Sequence, residues 1–166
     1  MTAAWKRGAR GSATVVLLCV LAASCSAGPQ GPPRPSNRQM VSAVSKAGGL
    51  SVTLRSTPAV AAAGATFSLT LDLRNLSGKT LTFDLPSSQE YEFLAFERGG
   101  EEVWRWSEGV LFAQARTKVL LAPGENVVYK VAWNAADVPE GLYTVQGYFL
   151  GLPGTAPAVT VEIGGN

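Results

Sequence analysis

The chain has 166 residues, 46% of them hydrophobic and 16% charged, with no histidine and two cysteines, Cys19 and Cys25. Zinc and other transition-metal sites draw on imidazole or thiolate, and Ser–His or Cys–His nucleophile pairs need a histidine base, so no metal, no cofactor and no enzymatic activity are expected. The formal charge is +2, but setting aside Lys6, Arg7 and Arg10 leaves eleven basic against twelve acidic residues, which is no electrostatic footprint for nucleic acid.

Residues 1–25 read as an export signal. Lys6, Arg7 and Arg10 form a basic start, and Ala13 to Ala23 an apolar core too short to span a bilayer comfortably. Leu21-Ala22-Ala23-Ser24-Cys25 resembles the lipobox of bacterial lipoproteins, in which the cysteine is lipidated and becomes the mature N-terminus. Cys25 is therefore the expected lipidation site and the membrane an expected partner. The plainer alternative is ordinary cleavage near Ser24 or Ala27, leaving a soluble secreted protein; Cys19, inside the apolar core, fits the lipobox poorly. Residues 26–48 are rich in Pro, Gly and Ser and lack strand periodicity. They read as a tether of about 20 residues holding a domain off the membrane, or as a leftover without a spacing role, with one turn of helix around Met40 to Val44.

Residues 49–166 carry the folded domain, large enough for one core without disulfides or metals. Leu50, Val52 and Leu54 alternate with polar residues in a first strand ended at Thr57-Pro58. Phe67, Leu69, Leu71 and Leu73 give the clearest half-buried strand. Asn75 to Lys79 is a turn; its Asn-Leu-Ser matches a glycosylation acceptor but is given no function. Leu81, Phe83 and Leu85 form the next inward face, closed by Pro86.

Two aromatic segments, Tyr91 to Phe96 and Val103 to Trp106, flank Arg98-Gly99-Gly100, a hairpin signal because both glycines accept positive φ. A two-residue turn at Gly99-Gly100 places Arg98 opposite Glu101, Phe96 opposite Val103, Ala95 opposite Trp104 and Phe93 opposite Trp106; a longer, bulged loop is the alternative. After this hairpin, Phe112 anchors a loop into the core. Thr117 to Leu121 is a strand, Ala122-Pro123-Gly124-Glu125 a tight turn, and Val127, Tyr129, Val131 and Trp133 share one strand face. Tyr143, following Gly141-Leu142, resembles the tyrosine corner of sandwich folds, its hydroxyl bonding back to the preceding loop. Tyr143, Val145, Gly147 and Phe149 form another inward face, and Val159, Val161 and Ile163 a last strand. About eight or nine short strands and no amphipathic helix of useful length predict an antiparallel β-sandwich.

Ser88-Gln89, Tyr91-Glu92-Phe93, Gly100, Glu102 to Ser107, Phe112, Pro123-Gly124-Glu125, Trp133 and Gly141-Leu142-Tyr143 follow an order that resembles the BsuPI domain, the intracellular proteinase inhibitor family, over about Ser51 to Leu150. The resemblance implies an immunoglobulin-like β-sandwich and a protein partner, a serine protease. It carries no reactive-site motif.

Candidate partner-binding residues are Ser88, Gln89, Trp104, Trp106 and Arg116. Trp104 and Trp106 read as a recognition platform or, more often for such residues, as core packed on Phe93 and Ala95. Arg105, on the opposite face, stacks on an aromatic neighbour or points to solvent. Glu90, Glu92, Glu97, Glu101 and Glu102 read as a solvated rim, since no loop has calcium-ligand spacing. Ser107 with a lysine base such as Lys118 is a conceivable nucleophile pair, and nothing local supports it. An inhibitory loop would lie in residues 87–90, 107–111 or 113–118, with Arg116 or Lys118 suited to a trypsin-like pocket and Leu111 to a chymotrypsin-like one. Two functional readings follow: a membrane-anchored proteinase inhibitor acting in the envelope or outside it, and an immunoglobulin-like adhesion or assembly module without inhibitory activity.

Overall fold

The computed structural model describes residues 39–164. The described chain holds eleven strands: β1 Val41–Ala47, β2 Leu50–Thr57, β3 Val60–Ala61, β4 Thr66–Asn75, β5 Leu81–Leu85, β6 Tyr91–Glu97, β7 Glu102–Arg105, β8 Thr117–Leu121, β9 Asn126–Asn134, β10 Gly141–Phe149 and β11 Ala158–Ile163. One sheet has the order β1-β2-β4-β9, a second the order β3-β11-β10-β6-β7, and β5 pairs with β8. The short β3 runs parallel to β11, and the other pairings are antiparallel.

Alternation along the strands produces two apolar faces that meet. Val52 and Leu54 of β2 and Phe67, Leu69, Leu71 and Leu73 of β4 are buried in one cluster with Phe93, Ala95, Tyr143, Val145, Phe149, Val159, Val161 and Ile163 from the second sheet. This is an immunoglobulin-like β-sandwich. The core is tight at Gly147 on β10, where a Cβ would stand 2.8 Å from Leu71 Cδ1 and 3.2 Å from Leu54 Cδ1 of the facing sheet. Glycine leaves room there for two leucines.

Three expectations change. Val41–Ala47 is a strand rather than the end of the tether, so the domain begins before residue 49. Half-buried Val41, Ala43, Ser45 and Ala47 alternate with exposed residues along β1, and β1 turns into β2 through Gly48-Gly49, both at positive φ, with Ala47 opposite Leu50. A two-residue turn with two left-handed residues matches the twist of a hairpin. The rest of the expected tether, residues 26–38, and the expected signal segment with Cys25 lie outside the described residues. The β6–β7 hairpin differs in the other direction. Glu97 N donates to Glu101 O at 2.9 Å and Gly100 N to Glu97 O at 2.9 Å, so the loop is three residues with only Gly100 left-handed. Phe96 consequently faces Glu102, and a bulge restores the expected pairing of Ala95 with Trp104. The strand count rises from the expected eight or nine to eleven because β1 and the two-residue β3 are added.

The tyrosine corner is present. Tyr143 is buried at the start of β10 and its hydroxyl donates to Pro139 O at 2.7 Å. Tyr143→Phe keeps the ring and strands that carbonyl, so it should lower unfolding stability by about 1 kcal/mol, read as a reduced urea midpoint at unchanged slope.

Candidate functional site

Between β7 and β8 the chain runs through residues 106–116, the loop in which the sequence places Phe112 as an anchor. Its tip is apolar: Val110 is exposed and Leu111 is 98% exposed. Its two ends are held by one neighbouring segment, residues 88–92.

At the entry, Glu92 is the organiser. It sits on β6, only 6% exposed, and accepts hydrogen bonds from Phe93 N at 3.0 Å, Ser107 N at 3.2 Å, Gln89 Nε2 at 3.1 Å and the Ser107 hydroxyl. Arg105 Nη1 stands 3.6 Å from its Oε2. Buried carboxylates persist only when donors replace the lost water, and here five groups do so. From Ser107 the chain turns, with Val110 N donating to Ser107 O at 3.0 Å.

At the exit, Ser88 N donates to Ala113 O at 3.0 Å, and Ala113 N donates to Ser88 Oγ at 2.9 Å. Ser87 Oγ accepts from Gln89 N at 3.2 Å, shaping the bracing segment itself. Five residues, 108–112, thus span two polar clamps.

A row of rings supports the loop from beneath. Tyr129 of β9 stacks on Tyr91 of β6 at 4.4 Å, Tyr91 on Trp106 at 4.3 Å, and Trp106 meets Phe112 at 5.8 Å. Tyr129 also donates to Glu90 Oε2 at 2.6 Å. Burial, then that bond to Glu90, pushes the Tyr129 phenol far above its ordinary value of 10.0. A phenol held neutral by the fold contributes stability that is complete below about pH 10 and is lost as pH rises, because the unfolded chain then releases the proton first. Urea midpoints taken from neutral pH to about pH 11 should therefore fall at the alkaline end. Tyr129→Phe should start about 1 kcal/mol lower and fall less steeply.

The candidate residues divide into supports and free surface. Ser88 and Gln89 are clamps of the loop. Trp106 is half-buried beneath it, and Trp104 is half-buried with its ring stacked on the buried Trp133 at 5.6 Å, so both indoles pack against the core. Arg116 is exposed at the loop's end. Arg105 lies at the solvent face, its side chain 42% exposed, with its Nε and Nη2 paired to Glu102 at 2.9 and 2.6 Å. The solvated rim holds for the exposed Glu97, Glu101 and Glu102 and fails for Glu92, which is buried. A glutamate between Tyr91 and Phe93 in an otherwise apolar strand was the available signal. Ser107 and Lys118 do not meet as a pair, since Ser107 donates to Glu92 and Lys118 lies 3.5 Å from Asp84. No group of three or more metal-ligating side chains occurs among the described residues.

Residues 54–153 match the sequence profile of the BsuPI family, described as intracellular proteinase inhibitor. No curated protein matches the chain. Solved structures that align with the chain include a β-glucosidase from Listeria innocua in complex with glucose, 15% identical, covering 76% of this chain and 16% of the glucosidase at a TM-score of 0.42. They also include the CARDB domain of a Pyrococcus furiosus protein, 15% identical, covering 75% and 91% of the two chains at a TM-score of 0.38. The alkylpurine DNA glycosylase AlkC of Pseudomonas fluorescens is 13% identical, covering 66% and 29% at a TM-score of 0.42. The chain spans about a sixth of the glucosidase's length.

Proposed function

The chain belongs to the BsuPI, or intracellular proteinase inhibitor, family, and from that premise we propose that it is a non-catalytic inhibitor of a serine endoprotease, exported and held on a membrane through lipidated Cys25. The observation that carries the reading is the family match over the sandwich. It is supported by the loop at residues 106–116, which is clamped at both ends and apolar at its tip, the form a rigid protein-binding segment takes. A basic start, a short apolar core and the lipobox-like run to Cys25 support export and anchoring. An exported inhibitor meets its target in the envelope or outside it, not in the cytoplasm.

The test uses the full chain, expressed with its own N-terminal segment in a lipoprotein-processing bacterium and purified in detergent. The expected result is saturable, stoichiometric loss of activity in at least one of a panel of serine endoproteases with apolar, acidic and small specificity pockets. Metabolic labelling with palmitate should mark the chain, and Cys25→Ala should abolish the label. A chain that slows no protease at micromolar concentration overturns the inhibitor reading. A labelled chain that instead holds a non-protease envelope protein by cross-linking would assign the sandwich to adhesion or assembly.

A further inference from the structure

We infer that residues 108–112 are the segment that enters the protease cleft, with the Leu111 side chain seated in an apolar specificity pocket. The inference rests on the inhibitor reading and assigns its contact surface and the class of protease it fits. Three observations meet at this loop. First, Leu111 is 98% exposed, a fully hydrated leucine whose burial in a partner is favourable. Leu120 and Leu142 are also exposed, but they lie on strands whose backbone is paired with β5, β6 and β11. Second, Leu111 makes no backbone hydrogen bond among the described residues. Its N–H and C=O are therefore available to pair with an extended edge, the way a cleft reads a peptide by main-chain bonds and side-chain pockets. Third, the loop is held before it binds. Ser107 is fixed on Glu92, Ala113 on Ser88, and Phe112 lies against Trp106, so ordering costs little on association.

The position of the clamps also decides between the side chains that could fill a specificity pocket. Arg116 and Lys118 lie beyond the Ala113 clamp, and Lys118 is on β8 facing Asp84. Leu111 lies between the two clamps, past the turn that Val110 N closes onto Ser107 O and next to Phe112. The geometry therefore points to proteases that prefer large apolar residues, of chymotrypsin-like or subtilisin-like specificity, rather than to trypsin-like ones.

The experiment compares the full-length wild-type chain with Leu111→Ala, Leu111→Lys and Leu120→Ala against chymotrypsin, a subtilisin and trypsin. Circular dichroism and urea midpoints confirm that each variant is folded, which an exposed site permits. Wild type should inhibit the enzymes with apolar pockets. Leu111→Ala should weaken that inhibition by about 30-fold or more, as for a central anchor residue. Leu111→Lys should lose it and gain inhibition of trypsin, and Leu120→Ala should stay within about twofold, as for a residue outside the contact. Wild-type inhibition that survives both Leu111 substitutions overturns the loop assignment and leaves the inhibitor reading standing. Inhibition confined to trypsin and removed by Arg116→Ala overturns it in favour of Arg116. A wild-type chain that inhibits none of the three, or any other serine protease, overturns both readings together.

Discussion

Replacing Trp133 with alanine should lower unfolding stability by about 4 kcal/mol, within the range for deleting a large buried aromatic side chain. The indole is fully buried on β9, stacked on Phe67 at 5.2 Å and on Trp104 at 5.6 Å, with the Tyr143 ring edge-on at 6.1 Å. β9 is the edge of one sheet and β7, which carries Trp104, the edge of the other. The Trp104–Trp133 stack therefore closes one side of the sandwich. Truncation removes the ring and leaves a cavity where the two edges meet. Trp133→Phe should cost much less, about 1–2 kcal/mol, partly because it also removes an indole N–H that is buried without an acceptor. Urea unfolding followed by circular dichroism checks both values. A loss below about 2 kcal/mol for the alanine variant would show that the edges relax into the gap, and that the stack is not what closes the sandwich.

The sequence carried the strands whose periodicity was long and regular. Phe67 to Leu73 alternates without a break, and β4 is buried at each of those positions; Tyr143 after Gly141-Leu142 was legible as a corner because the motif implies a hydrogen bond, and the bond is there. The misses have a common cause. Gly-Gly between half-apolar runs signals a hairpin at Gly99-Gly100, yet the tight two-residue turn occurs at Gly48-Gly49, which the sequence assigns to the tether and the domain's start. The run before Gly48 holds Val41, Ala43, Ser45 and Ala47 on its inner side, small and weakly apolar residues whose alternation is faint beside a Pro- and Gly-rich stretch. Edge strands need only one covered face and one paired side, so they tolerate such composition. At Gly99-Gly100 the turn is longer because only one of the two glycines is left-handed. Loop length selects turn type, and sequence alone left the two lengths open.

The site was legible in its parts and not in its arrangement. Ser88 and Gln89 stand among the partner-binding candidates and Trp106 reads more often as core than as platform; in the fold all three are supports of the loop. What separates a support from a contact is which groups its polar atoms meet, and those partners lie far apart in sequence: Ser88 with Ala113, Glu92 with Ser107, Tyr91 with Tyr129. Charge patterning places Glu92 in a rim with four other glutamates. Only the fold shows that β6 runs between β10 and β7, which covers this one and leaves the hairpin-tip residues Glu97 and Glu101 in water.

Glu92→Ala should separate stability from loop order. The substitution leaves Ser107 N and the Ser107 hydroxyl without their acceptor and Gln89 Nε2 with Tyr91 O alone, and donors stranded in a part-buried site each carry a desolvation penalty. Arg105 keeps its two bonds to Glu102, so no charge is left unpaired and the loss should stay below that for breaking a fully buried ion pair, at about 2–3 kcal/mol. Glu92→Gln should lose about half as much, because its amide oxygen still accepts from backbone N–H groups while the Ser107 hydroxyl can turn to accept from its NH2. The decisive readout is native-state proteolysis followed by mass spectrometry. In Glu92→Ala, cutting within residues 108–112 should rise well before global unfolding, since freeing Ser107 releases the entry clamp while the sandwich stays folded. In Trp133→Ala, by contrast, cutting there should track global unfolding. Equal loop protection in Glu92→Ala and wild type, despite the lost stability, would make the carboxylate a brace for β6 alone and leave the loop's order to Ser88 and the Trp106–Phe112 contact.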